Sequence, residues 1–137
     1  MSDSLAQTAP IAARSPVAGL ALPETPNVTI EEVPIASLVQ VAAWPETVEH
    51  LSTALSREGL PVLPSPARAT RGGEAVALDV APGRALIVSE RPDLAATLEA
   101  ALPSDIATTV DLGHARVRLR LSGDRAAWVL SKGVAID

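Results

Sequence analysis

Apolar positions in this 137-residue chain recur with two periods, and the stretches that carry them alternate. "VTIEEVPI" (28–35) and "SLVQVAAW" (37–44) are rich in Val and Ile and predict β-strands. Pro45 then suits the first position of a helix, with Glu46 in the first turn and Gly59 at its end. Val48, Leu51 and Leu55 fall on one stripe of that helix. The Pro- and Gly-rich stretch 61–74 is expected to be a connection. "AVALDV" (75–80) and "RALIVSE" (84–90) flank Ala81-Pro82-Gly83-Arg84, whose proline and glycine placement is that of a type II turn. Pro92 opens the next helix, Leu94, Leu98 and Leu102 face inward, and Pro103 closes it. Residues 105–112 and 115–121 predict a further strand pair. A last helix over 123–132 carries Ala126, Val129 and Leu130 on one side, with Gly133 after it.

The order is strand-strand-helix, repeated three times without a repeat in sequence. Paired strands each followed by a helix predict an α+β fold, an antiparallel or mixed sheet with helices on one face. The predicted domain covers 27–137. Ahead of it, Pro10, Pro16, Pro23 and Pro26 punctuate residues 1–26, and each proline fixes φ and disfavours helix at the residue before it. That segment is expected to be an extended Pro/Ala-rich arm.

The most patterned stretch is "DLGHARVRLRLSGD" (111–124). Strict alternation predicts that Arg116, Arg118 and Arg120 point one way and Val117, Leu119 and Leu121 inward. Arginines two apart on a strand lie about 6.8 Å apart. At that distance they repel by about 0.6 kcal/mol in water and by about 2.4 kcal/mol at an effective dielectric near 20. An exposed row therefore costs little, whereas a half-buried one needs acidic or phosphate partners. Three readings follow: a solvated strand face with its aliphatic stems over the sheet, a docking face for an acidic surface, or a phosphate or nucleic-acid site. Trp128 lies off the apolar stripe of its helix and is expected to be an exposed interface aromatic.

Composition narrows the chemistry. There is no cysteine, which removes disulfides, thiolate metal sites and cysteine nucleophiles. There is no Phe or Tyr, and Trp44 and Trp128 are the only aromatics available to stack a flavin, pterin or nucleobase ring. A net charge of −5 argues against bulk attraction to nucleic acid or anionic membranes. "MSDSLAQTAP" lacks the basic and apolar regions of a secretory signal, and no apolar run reaches the ~18 residues of a membrane span. A cytoplasmic protein is expected. His50, four residues after Glu46, reads as a surface residue, and His114, three after Asp111, as a polar turn residue with too few neighbours to complete a zinc site. Asp111 and Asp124 flank the arginine strand as turn residues, and no catalytic constellation is recognised.

"RSPVAGLALP", "VPIASLVQVAAWPET", "APGRALIVSERPDL" and "VDLGHARVRLRLSGDRAAWVLSKGVAID" resemble, in that order, the γ subunits of heterotetrameric sarcosine oxidases. The resemblance runs from about Arg14 to Asp137. That family is in turn similar to part of the folate-dependent aminomethyltransferase fold. The resemblance implies a non-catalytic structural subunit that packs against the others, and the residue pattern offers Arg116, Arg118, Arg120 and Trp128 as its candidate partner-interface residues. It implies α, β and δ subunits as partners, which carry FAD, FMN, NAD, tetrahydrofolate and zinc, and no cofactor in this chain. The whole complex converts sarcosine to glycine, hydrogen peroxide and 5,10-methylenetetrahydrofolate. The alternative reading, from the fold analogy, is a stand-alone folate-binding or aminomethyl-transfer protein. Family members often carry a Cys-Pro pair near Val134-Ala135 and continue well beyond "KGVAID". The chain is therefore expected to be C-terminally incomplete, or else a shortened member whose missing strands come from a partner.

Overall fold

The computed structural model describes residues 14–134; residues 1–13 of the expected arm and residues 135–137 lie outside them. In chain order the elements are β1 (Glu24–Thr25), β2 (Val28–Val33), β3 (Ser37–Ala43), α1 (Val48–Arg57), β4 (Ala69–Gly72), β5 (Ala75–Ala81), β6 (Arg84–Ser89), α2 (Leu94–Ala101), β7 (Ala107–Asp111), β8 (Arg118–Ser122) and α3 (Ala126–Gly133). The fold is α+β, with every strand pair antiparallel. Two sheets form, a five-stranded one in the order β4-β5-β6-β3-β7 and a three-stranded one in the order β1-β2-β8.

The predicted elements are present, but their pairing differs from the expected sequence-adjacent pairs. Only β5 and β6 form the hairpin read from the sequence, about a turn in which Gly83 takes φ +68°. β2 and β3 part into different sheets, and so do β7 and β8. Pro34, which has no N–H to donate, follows β2 directly, so the strand stops at Val33 rather than Ile35. β3 buries both faces over Ser37–Val39 and lies between β6 and β7 as the central strand. The stretch 61–74, expected to be a connection, contains β4, which joins β5 through the turn at Gly73-Glu74.

α1 and α2 lie on one face of the five-stranded sheet. Leu51, Leu55, Leu94 and Leu98 are fully buried against Val39, Val41, Ala77 and Ile87, with Ala75, Ala85 and Ala107 around them. Alanines at the strand positions leave space that the helix leucines fill, giving an aliphatic core without an aromatic ring. α1 ends where the periodicity predicts. Gly59 takes φ +70°, its N–H donates to the Ser56 carbonyl, and the Leu60 N–H donates to the Leu55 carbonyl at 2.9 Å. These two bonds make a Schellman motif, sealed by Leu60 against the core. The opposite face of the sheet is more open: Leu78, Val80 and Val110 are exposed. No helix among the described residues is long and apolar enough to cross a membrane.

The start of α2 is fixed by a small polar cluster. The Arg91 guanidinium lies 3.3 Å from Asp93 and donates to the Thr97 hydroxyl at 3.2 Å. The hydrogen bond from Arg91, and then the backbone bond of Asp93 itself, hold the Asp93 carboxyl below the usual carboxylate range. A depressed folded-state pKa adds stability above the unfolded value, about 3.9, and that stability is lost as pH falls through the folded value. The pair is exposed, so its energetic contribution is screened. NMR titration of the carboxyl carbons is expected to give Asp93 a lower midpoint in the native chain than in R91A, with the difference shrinking at high salt.

Candidate functional site

The three arginines of the patterned stretch do not form one row. β8 begins at Arg118, and Arg116 lies ahead of it, just after the turn at 113–115, where its Nη1 donates to the neighbouring Ala115 carbonyl at 2.9 Å. Arg118 is half-buried: its Nη2 donates to the Pro34 carbonyl and lies 3.4 Å from a Glu90 carboxylate oxygen. Its Nε is buried with no hydrogen-bond acceptor among the described residues. Arg120 is exposed and donates to Glu31 at 2.9 Å, its register partner across β2 and β8. Such a cross-strand pair contributes at the low end of about 0.2–1 kcal/mol because solvent screens it.

The hydrophobic side of the strand departs from the alternation reading. Leu121 is half-buried opposite Ile30, but Leu119, expected inward, is 48% exposed opposite Glu32. β8 is an edge strand of a small sheet, and Leu119 borders the open cleft between the two sheets rather than a packed core. Leu130, also expected on the inward stripe of α3, is exposed, whereas Ala126 and Val129 are half-buried. Val129 lines a groove of about 380 Å³ with Pro23, Val28, Ile30 and Trp128.

Trp128 is 57% exposed, as expected from its place off the stripe. The Arg125 guanidinium lies 5.9 Å and the Lys132 ammonium 5.5 Å from the centroid of its ring. Those residues stand three before and four after it, so all three share one helix face. Each cation–π contact at an exposed site is worth roughly 0.5–1 kcal/mol. The indole is thereby held in place at the surface. α3 is tied back to the small sheet where the Arg125 N–H donates to the Asn27 carbonyl at 3.2 Å.

A cleft of about 590 Å³ opens beside β8, lined by Arg14, Glu32, Asp111, His114, Arg116 and Arg118. The Asp111 carboxylate is occupied in shaping the turn, accepting from the Gly113 N–H at 2.8 Å. A second cleft, of about 570 Å³, lies between the sheets, with Arg118 and Arg120 facing Glu74 and Glu90 over Val76 and Val88. Here the sequence reading missed Glu31 and Glu90, the acidic partners of two of its arginines. Only the pairing of β2 with β8 brings Glu31 to Arg120, and no local pattern marks that. His50 and His114 are exposed, and so are Asp111 and Asp124. Among the described residues no three His, Cys, Asp or Glu side chains gather as metal ligands. Trp44 and Trp128 are both more than half exposed, and Trp128 borders the groove along Val28 and Ile30.

No family model and no curated protein matches the chain. Among solved structures, one chain of a heterotetrameric sarcosine oxidase from Corynebacterium sp. U-96, solved in complex with pyrrole 2-carboxylate, superposes with a TM-score of 0.75. The two are 29% identical in sequence, and the match covers 90% of this chain and 68% of the other. The chain is thus similar, in fold and in sequence, to a chain of that enzyme. Both its α+β architecture and its sequence carry that likeness, in agreement with the motifs quoted above. On its surface the chain presents a cation-lined cleft, a tryptophan flanked by two cations and an exposed leucine, and these features lie on or beside β8 and α3.

Proposed function

We propose that this chain is the γ-type structural subunit of a heterotetrameric sarcosine oxidase-type flavoenzyme and supplies no catalytic residue. The observation that carries the reading is the superposition over 90% of the chain at 29% identity. In this reading α-, β- and δ-type subunits hold FAD, FMN, NAD, tetrahydrofolate and zinc, and the assembly oxidatively demethylates sarcosine in the cytoplasm to give glycine, hydrogen peroxide and 5,10-methylenetetrahydrofolate. This subunit lends shape, and its contacts run through β8 and α3. Trp128 suits the centre of such a contact, because a pre-ordered aromatic loses little side-chain entropy on docking. An isolated leucine or valine on a surface needs no explanation, but Leu119, Leu130 and Trp128 together give this part of the chain an apolar character beside three arginines.

The test is oxygen uptake. Material captured through a tag on this chain in its native source is expected to consume oxygen on addition of sarcosine, while the chain alone does not. In the same preparation W128A is expected to lower the amount of captured enzyme without changing activity per bound flavin. Sarcosine turnover by the purified chain alone, or capture of an inactive preparation, contradicts the proposal. Heat evolved by the isolated chain with tetrahydrofolate at high micromolar concentration supports the folate-binding alternative instead.

A further inference from the structure

The cleft beside β8 runs against the charge of the molecule. The chain is net −5, yet three arginines and His114 line this cleft, against Glu32 and Asp111. Asp111 is engaged by the backbone of its own turn. Arg116 has no carboxylate within ion-pair distance among the described residues; its one hydrogen bond goes to a neighbouring carbonyl. Arg118 already reaches the Pro34 carbonyl and Glu90, and its buried Nε still lacks an acceptor. A buried donor without a partner is destabilising, the more so when it is charged. Two guanidiniums in one cleft are thus underused in the chain by itself, with Pro34, Ile35 and Val117 as apolar lining between them.

Resting on the subunit reading for the identity of its occupant, we propose that this cleft receives a carboxylate-bearing segment of a neighbouring subunit. An Asp or Glu side chain is bound by the Arg116 fork, and Arg118 swings to share it. Guanidinium forks match carboxylates in a two-point geometry that lysine cannot reproduce. The cleft is much larger than one carboxylate, and its apolar lining suits the flanking chain of a polypeptide better than a free ion. The net negative charge of this subunit gives an acidic partner no long-range attraction, so binding depends on this short-range pairing.

Two measurements on the tagged complex test the proposal. In an R116K complex, a carbodiimide that joins amines to carboxylates at contact distance is expected to couple the new amine to an Asp or Glu of another polypeptide. Links only to Glu32, Asp111 or Glu90 of the same chain, or none while the complex stays intact, overturn the inference and leave the subunit reading standing. In the second measurement, R116E is expected to weaken retention of the chain in the complex by tenfold or more, and R57E, on an exposed turn of α1, is expected to leave it unchanged. Equal loss in both variants, or no loss in R116E, overturns the inference. Binding of inorganic phosphate to the isolated full chain that R116E abolishes, without a cross-link to another subunit, assigns the cleft to a small anion and also overturns it. A wild-type chain captured without any partner overturns the subunit reading and the occupant together.

Discussion

Ile87→Ala is expected to lower the free energy of unfolding by about 2–5 kcal/mol, the range for truncating a buried large aliphatic side chain. Ile87 is fully buried in β6 and stands in register between Val39 of β3 and Ala77 of β5. Both neighbours are held by sheet ladders, and Ala77 has no reach with which to fill the space left behind. The helix leucines above it, Leu51, Leu55, Leu94 and Leu98, are themselves fully buried and cannot move in without uncovering other contacts. A domain of this size has about 5–15 kcal/mol in hand, so one substitution removes a large share. Urea unfolding checks it: the midpoint falls sharply with an unchanged slope. L119A is the internal contrast, because its side chain is half in water, and its cost is expected to stay within about 1 kcal/mol. Similar losses in the two variants would contradict the burial assigned to them.

Gly123→Ala is expected to detach the small sheet from α3 while sparing the larger sheet. Gly123 has φ +109°, outside the range that L-residues ordinarily adopt. A Cβ there would run into the carbonyl oxygen of Asn27 and approach the Val28 Cα to 3.2 Å. Both obstacles are backbone at the entry to β2, so no side chain can turn aside to make room. Strain of this kind costs about 1–3 kcal/mol, and the clash adds to it. The Arg125-to-Asn27 bond spans the same joint and goes with it. Hydrogen exchange is expected to show faster amides in β2, β8 and α3, with β3 and β6 still protected. Unchanged protection at the joint would contradict this account of Gly123. If the subunit reading holds, the same substitution also weakens assembly, since Trp128 and Arg118 sit on the displaced elements.

What the sequence made legible was local. The Pro82-Gly83 turn, the Gly59 helix end and the leucine stripes of α1 and α2 are decided within a few residues of one another, and each stands where the pattern places it. The sheet order is decided by distant partners. Glu31 meets Arg120 and Val39 meets Asp111 only through pairings that no neighbouring residue announces. Hence β2 and β3, adjacent in the chain, were expected to pair and do not. β4 was hidden because a short edge strand ending at Gly72 has the composition of a loop. The arginines and Trp128 stood out in the alternation and the helical stripe. Their partners did not, and the exposure of Leu119 depends on which sheet β8 joins rather than on its own period.

The central claim is that this chain works as one part of a flavin-bearing assembly. The most direct measurement is the native mass and visible absorption of the complex captured through this chain from its own source. The account predicts a mass well above the 14.1 kDa of the chain, resolved on denaturation into several different polypeptides, and a yellow sample with flavin absorption. A colourless sample containing only this chain, as a monomer or as copies of itself, would contradict it.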